Sequence, residues 1–293
     1  MGQSQRFDLY QEVTDRIIAA IGAGTPPWRR PWTGSTPGLG FPTRATGERY
    51  RGINVLMLWL TAAEKGYTAA HWFTYRQAQA AGGQVRKGGR SSLVVKYGTV
   101  EKDRDDGETD RFAYARAYRV FNADQIEGLA AEFYRPAEPP RDLGTTSDPA
   151  LDGWFRETGL TIETSGMPRA YYAPADDRVH MPPVATFESA ARYFATLAHE
   201  CVHATGHAKR LDRLAKFNRR EDYAQEELVA EIGGAMLCVS LGIGADYDQN
   251  GAYVESWLAA LRDDKREIFR TASAAGRAAD FLHEVTARGR AAA

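Results

Sequence analysis

At 293 residues the chain is long enough for one large domain or two of ordinary size, and two is the expectation. Hydrophobic residues make up 43% and charged residues 26%, with six Trp, fourteen Tyr and twelve Phe, a balance that excludes a disordered, collagenous or fibrous chain. The net charge of −1 hides a division: residues 1–100 hold thirteen Lys/Arg against five Asp/Glu, a net of +8, which leaves −9 for residues 101–293 and points to a polyanion partner for the first part.

Along the chain, Leu9, Val13, Ile17 and Ile21 recur at helical spacing between Asp8 and Ile21, and the glycines and prolines of residues 22–27 stop that helix. Pro-Pro-Trp-Arg-Arg-Pro-Trp (26–32) is too proline-rich for a helix and is expected to form an ordered loop. Residues 51–65 and 71–81 are expected to be helices, the second ended by Gly82-Gly83. Residues 91–97 and 111–121 alternate apolar with polar side chains and predict two antiparallel strands around a solvated acidic tip. Residues 131–149, with four prolines, have the composition of a linker. Beyond them the pattern gives strand, turn and strand over 169–182, then helices over 187–205, 223–240 and 252–270. Cys201 and Cys238 lie in apolar helical settings, cannot build a disulfide framework and suit a reducing compartment. No apolar run approaches the roughly 18 residues of a membrane span, and the first residues lack a secretory pattern, so a cytoplasmic location is expected.

His199-Glu200-Cys201-Val202-His203 is the segment whose chemistry is legible by itself. Four helical residues advance about 400°, so His199 and His203 share a face one turn apart, where two imidazoles can reach one tetrahedral zinc ion. Glu200 falls beside that face, placed to take a proton from water and deliver it to a leaving amine. The helix is expected to start with Thr186 as its cap, and the apolar residues Tyr193, Phe194, Leu197 and Ala198 mark it as buried. A third ligand is required, from His207, Cys238 or the acidic run of residues 222–231. Gly206 should end the helix and turn His207 away. Asp222 and Gln225 suggest a helix start that puts Glu227 and Glu231 on one face. Glu227 is assigned to the metal and Glu231 to a hydrogen bond that fixes a histidine ligand's tautomer, while Glu226, about 100° away, is expected to be solvated.

Residues 7–32, 50–59, 82–97 and 118–129, together with HECVHATGHAKRLDR (199–213) and YAQEELVAEIGGAMLC (223–238), resemble the ArdC-type antirestriction proteins and are similar to the N-terminal part of TraC-type plasmid primases. The resemblance covers roughly residues 7–285. It implies an α+β protein: an N-terminal single-stranded-DNA-binding domain followed by a zincin-like metallopeptidase domain, carried by mobile elements and protecting incoming DNA from host restriction. The family's metal site carries over onto His199, His203 and the Glu227 helix, with Glu200 as general base. Zinc is the expected ion, with manganese an alternative. No primase activity is implied. The domains are expected at 1–135 and 150–293, joined by residues 136–149.

Single-stranded DNA is held by a positive groove along its phosphates and by aromatic faces on which bases stack. Trp28, Arg29, Arg30 and Trp32 interleave ring and guanidinium on one loop, and Arg49, Tyr50 and Arg51 repeat the combination. Trp72 and Tyr75 add rings, Arg86, Lys87 and Arg90 sit in a glycine-rich turn, and Lys96 and Tyr97 follow on a strand. All are candidate DNA contacts, whereas Trp59 and Phe73 are expected in the core. A peptidase tethered to DNA would meet proteins bound to the same strand, so a restriction-system or other DNA-bound protein is the expected peptide substrate.

Overall fold

A computed structural model describes residues 7–29, 40–103, 109–136, 138, 140–216, 220–244 and 251–292. Asp8 accepts hydrogen bonds from the amides of Tyr10 and Gln11 and so caps α1 (Leu9–Gly22), whose Val13, Ile17 and Ile21 are buried as their spacing predicts. Trp28 follows in a 3-10 turn over Pro27–Arg29. After β1 (Thr43–Arg44), Gly52 takes a positive φ of 56° and opens α2 (Ile53–Lys65). Every residue of α2 from Ile53 to Ala62 is buried, so this helix lies at the centre and not on a surface.

The helix expected over 71–81 begins later. His71–Phe73 form β2, pairing with Asn122 and Phe121, and only then does Thr74 start α3 (Tyr75–Ala80) through a capping box with Gln77. Three consecutive β-favouring aromatic residues finding a strand partner outweigh their weak helical pattern. β3 (Gln84–Val85) pairs with β6 (Ile126–Glu127), and between them run β4 (Ser92–Asp103) and β5 (Thr109–Asn122). The last two form the expected hairpin, in register from Ser92↔Val120 to Asp103↔Thr109. The sheet order is β1-β2-β5-β4.

In the second part, Asp148 caps α4 (Pro149–Glu157), and β7 (Thr161–Thr164), β8 (Tyr171–Ala173) and β9 (Arg178–Met181) form a sheet in the order β7-β9-β8. The helix carrying the histidines is α5 (Ala190–Thr205), capped by Ser189 and not by Thr186. Thr186 closes a separate 3-10 turn and spends its hydroxyl on the carbonyl of Pro183, leaving the next hydroxyl to begin the helix. α6 (Arg220–Leu241) starts upstream of Asp222. The single helix expected over 252–270 is two, α7 (Gly251–Asp263) and α8 (Glu267–Ala292), because the carboxylate of Asp264 accepts from the amide of Arg266 and turns the chain. Alanines 272, 275, 278 and 279 are buried, which lets α8 pack closely on its neighbours.

One hydrophobic cluster draws on both parts of the chain: α1 packs on α7, α2 on α8, and Trp28 meets Trp257 edge-to-face at 6.4 Å. Within 136–149 the amide of Arg141 bonds the carbonyl of Gly242, and the carbonyl of Gly144 accepts from Ala190. Among the described residues no helix is long and apolar enough to cross a membrane.

Candidate metal centre and adjoining cleft

α5 presents its apolar side to the core: Phe194, Leu197, Ala198, Cys201 and Val202 are buried as expected. The helical turn between His199 and His203 brings their Nε2 atoms to 3.1 Å, and α6 crosses so that Glu227 lies 3.6 Å from His199 Nε2 and 3.4 Å from His203 Nε2. One donor atom from each of the three lies within 4.8 Å of the others. Donors held about 2.0–2.2 Å from one tetrahedral ion stand about 3.3–3.6 Å apart. The two imidazoles are slightly closer than this, and Glu227 meets His199 through Oε2 and His203 through Oε1, so small side-chain rotations bring the three donors around a single metal. Glu200 is buried beside them, and its charge is felt by both histidines.

Glu226 departs from expectation. It is fully buried: its Oε1 lies 3.4 Å from His203 Nδ1, and both its oxygens accept from Arg213, at 3.0 Å from Nε and 2.6 Å from Nη2. Arg213 also donates to Thr205 Oγ1 and to the carbonyl of Val202, so its fork ties the end of α5 to α6. A carboxylate 100° from the ligand face is buried here because α6 is covered by α5, α7 and α8. Glu231 is buried as well.

The electrostatics follow from this crowding. Burial pulls the His203 imidazole down, but Glu226 and Glu227 outweigh it and hold it above the ordinary histidine value; His199 is raised by Glu227 in the same way. Conversely, burial would raise Glu227 and Glu226, yet the histidines hold Glu227 low, and Arg213 with His203 does the same for Glu226. Gly206 ends α5 where an added Cβ would lie 2.9 Å from Leu214 and 3.0 Å from Arg213, and His207 turns to Asp177, 3.8 Å away. Asp177 also holds Arg210 and accepts from the Tyr172 hydroxyl, which fastens the turn between β8 and β9 to the chain leaving α5.

The candidate DNA residues divide. Trp28, Tyr50 and Trp72 are only 2%, 7% and 2% exposed and pack against Trp257, Arg44 and Tyr67 respectively; of the three, Tyr50 alone touches the cleft that Arg49 and Arg51 line. Their aromatic area is worth more inside the core than on the surface. Arg30, Trp32 and the side chain of Arg29 lie outside the described residues. Arg49, Arg51, Tyr75, Arg86, Lys87, Arg90, Lys96 and Tyr97 are exposed. Of these, Arg49, Arg51, Lys96 and Tyr97 line a cleft of about 780 Å³, which the turn carrying Arg86, Lys87 and Arg90 does not reach.

Two family models match the chain: the N-terminal domain of anti-restriction factor ArdC over residues 7–121 and a zincin-like metallopeptidase over residues 149–274. The antirestriction ArdC protein of plasmid R388, in its metal-free crystal structure, is 59% identical and superposes with a TM-score of 0.88, covering 96% of this chain and 99% of that one. The chain belongs to the ArdC antirestriction family. The Mn(II)-bound structure of the R388 ArdC protein is similar to it at 58% identity and a TM-score of 0.84, over 96% of this chain and 99% of that one. The uncharacterised y4eC protein of Sinorhizobium fredii is 40% identical over 94% of this chain and 92% of its own length. The DNA primase TraC of Escherichia coli is 37% identical over 94% of this chain, which spans only 27% of the primase.

Within this ArdC architecture the sequence assigns no role to Arg213, Tyr118 or Tyr223, and the burial of Glu226 runs against its expected solvation. Tyr223 lies one turn before Glu227 on α6, its ring parallel to that of His203 at 6.2 Å, and its phenol is raised by burial and by Glu227. The same i, i+4 spacing that pairs Glu227 with Glu231 could have found it. Tyr118 stands opposite Val94 in the hairpin, where Lys96 Nζ lies 5.9 Å from its ring, and it is 40% exposed although Val94 and Val120 on the same face are buried. Arg213 sits in an irregular loop with no periodicity to mark it.

Proposed function

We propose that this ArdC-family chain binds single-stranded DNA and carries a divalent-metal peptidase centre, and that both protect incoming DNA from restriction. His199, His203 and Glu227 would hold the ion, zinc or alternatively manganese. The observation that carries this reading is the convergence of His199, His203 and Glu227, one donor atom from each within 4.8 Å of the others, with Glu200 buried alongside. Such an ion, when bound, polarises a peptide carbonyl and lowers the pKa of water. Glu200 takes the proton from attacking water and returns it to the leaving amine. Glu226, clamped by Arg213, accepts from His203 Nδ1 and so keeps its Nε2 lone pair directed at the ion. Glu231, whose charge acts on His199, steadies the second imidazole.

Residues 1–135 would form the DNA-binding part and 150–293 the peptidase, joined through 136–149, acting in the cytoplasm. Arg49, Arg51, Lys96 and Tyr97 would engage the strand in the cleft, with Arg86, Lys87 and Arg90 as a separate basic patch. Proteins bound to the same strand are the proposed substrates, since tethering raises their local concentration. Glu200→Gln tests the reading through transfer of an unmodified plasmid into a restricting host. Loss of protection with metal uptake and oligonucleotide binding intact is expected; unchanged protection would mean that the chain guards DNA by coating it, with a structural metal.

A further inference from the structure

The cleft of about 780 Å³ has two walls from opposite ends of the chain. β4, β5 and the start of α2 form one, with Lys96, Tyr97 and Tyr118; α8 forms the other, with Ser273, Gly276 and Arg277. Arg44, Arg49, Arg51, Lys96 and Arg277 line it against a single carboxylate, Asp280, which lies 3.9 Å from Arg51. Tyr97 and Tyr118 are 52% and 40% exposed. The walls meet almost backbone to backbone: a Cβ on Gly276 would lie 3.8 Å from the amide nitrogen of Gly52, and one on Gly52 would lie 3.9 Å from the Ser273 backbone. That contact sets the width of the cleft before any ligand arrives. A second cleft of about 770 Å³ adjoins it, sharing Tyr97, Phe269, Ser273 and Arg277, and extends to Arg213, the residue that clamps Glu226.

We propose that the single-stranded DNA site is composite: α8 supplies its second wall, Arg277 contacts a phosphate across from Lys96 and Tyr97, and the strand runs on toward the loop bearing Arg213. The proposal rests on the reading that this chain binds single strands, and it places a determinant far outside residues 7–121, the span of the matched N-terminal ArdC domain. Even with Arg44 paired to Glu48 and Arg51 near Asp280, the five lining cations leave the cleft net positive, which selects a polyanion. Two exposed tyrosine rings select unstacked bases, because a duplex keeps its base faces covered.

The test uses the full chain and fluorescent oligo-dT in a salt series. Arg277 is exposed and donates to Ser273 Oγ at 3.0 Å on its own helix, so Arg277→Ser should keep the wild-type melting temperature. Its affinity should fall roughly five- to tenfold and the slope of log affinity against log salt should shrink by about 0.7, the counterion share of one single-strand phosphate. Arg277→Lys should restore both. No binding by the wild type would remove the underlying reading. Wild-type binding with Arg277→Ser unchanged in affinity and slope would overturn the composite site alone, and equal affinity for a duplex of the same length would overturn its single-strand occupant.

Discussion

Glu226 shows how one side chain ties a loop to the proposed metal centre. It faces His203 Nδ1 on one side and the Arg213 fork on the other, with no exposed surface. Replacing it with Gln should weaken Zn(II) or Mn(II) binding about 10- to 100-fold, the usual cost of losing the partner behind a histidine ligand, as read by isothermal titration; unchanged affinity would assign Glu226 to packing alone. His203 also sets the pH response. Because its pKa is raised in the metal-free fold, its contribution to stability is complete below the unfolded value of 6.5 and fades as pH rises through the folded one. A metal must displace that proton, so uptake in weak buffer near neutrality should release protons and affinity should climb as pH is raised above 7. A flat affinity profile without proton release would contradict this assignment.

At the scale of elements, the α5–α6 contact places the proposed ligands. Gly233 of α6 faces Val202 of α5, where an added Cβ would lie 2.9 Å from one methyl and 3.4 Å from the carbonyl of Ala275. Gly233→Ala gains about 1 kcal/mol of helix propensity. Overpacking against fully buried Val202 costs about 1–3 kcal/mol, so the net effect should be a lower melting temperature together with weaker metal binding as the helices part. A raised melting temperature would show that the pair can separate at no cost. The same packing explains the burial of Glu226, Glu227 and Glu231: α6 is buried on nearly all sides from Ala224 to Cys238, so a charge run that would usually be solvated is enclosed.

Across the whole molecule, Trp28 joins the two matched regions. It packs on Trp257, whose indole N–H donates to the carbonyl of Ala224 on α6, the helix of Glu227, at 2.8 Å. Trp28→Ala should cost about 3–5 kcal/mol. Because the hydrophobic cluster is continuous, calorimetry should show one transition moving as a unit; two transitions of which only one moves would mean that the regions fold separately.

The elements with strong periodicity were legible in the sequence: α1 from its apolar spacing and Asp8, the β4–β5 hairpin from alternation, and the histidine pair from the i, i+4 geometry of a helix. Local rules sufficed because each depends on neighbours within one or two turns. The tertiary structure alone decided which carboxylates lie inside, that the candidate stacking residues Trp28 and Trp72 are buried and which distant helix walls the basic cleft. Those outcomes depend on pairs such as Glu226 with Arg213, Trp28 with Trp257 and Tyr97 with Arg277, and burial at such positions is set by what crosses above them and not by the residues beside them in the chain.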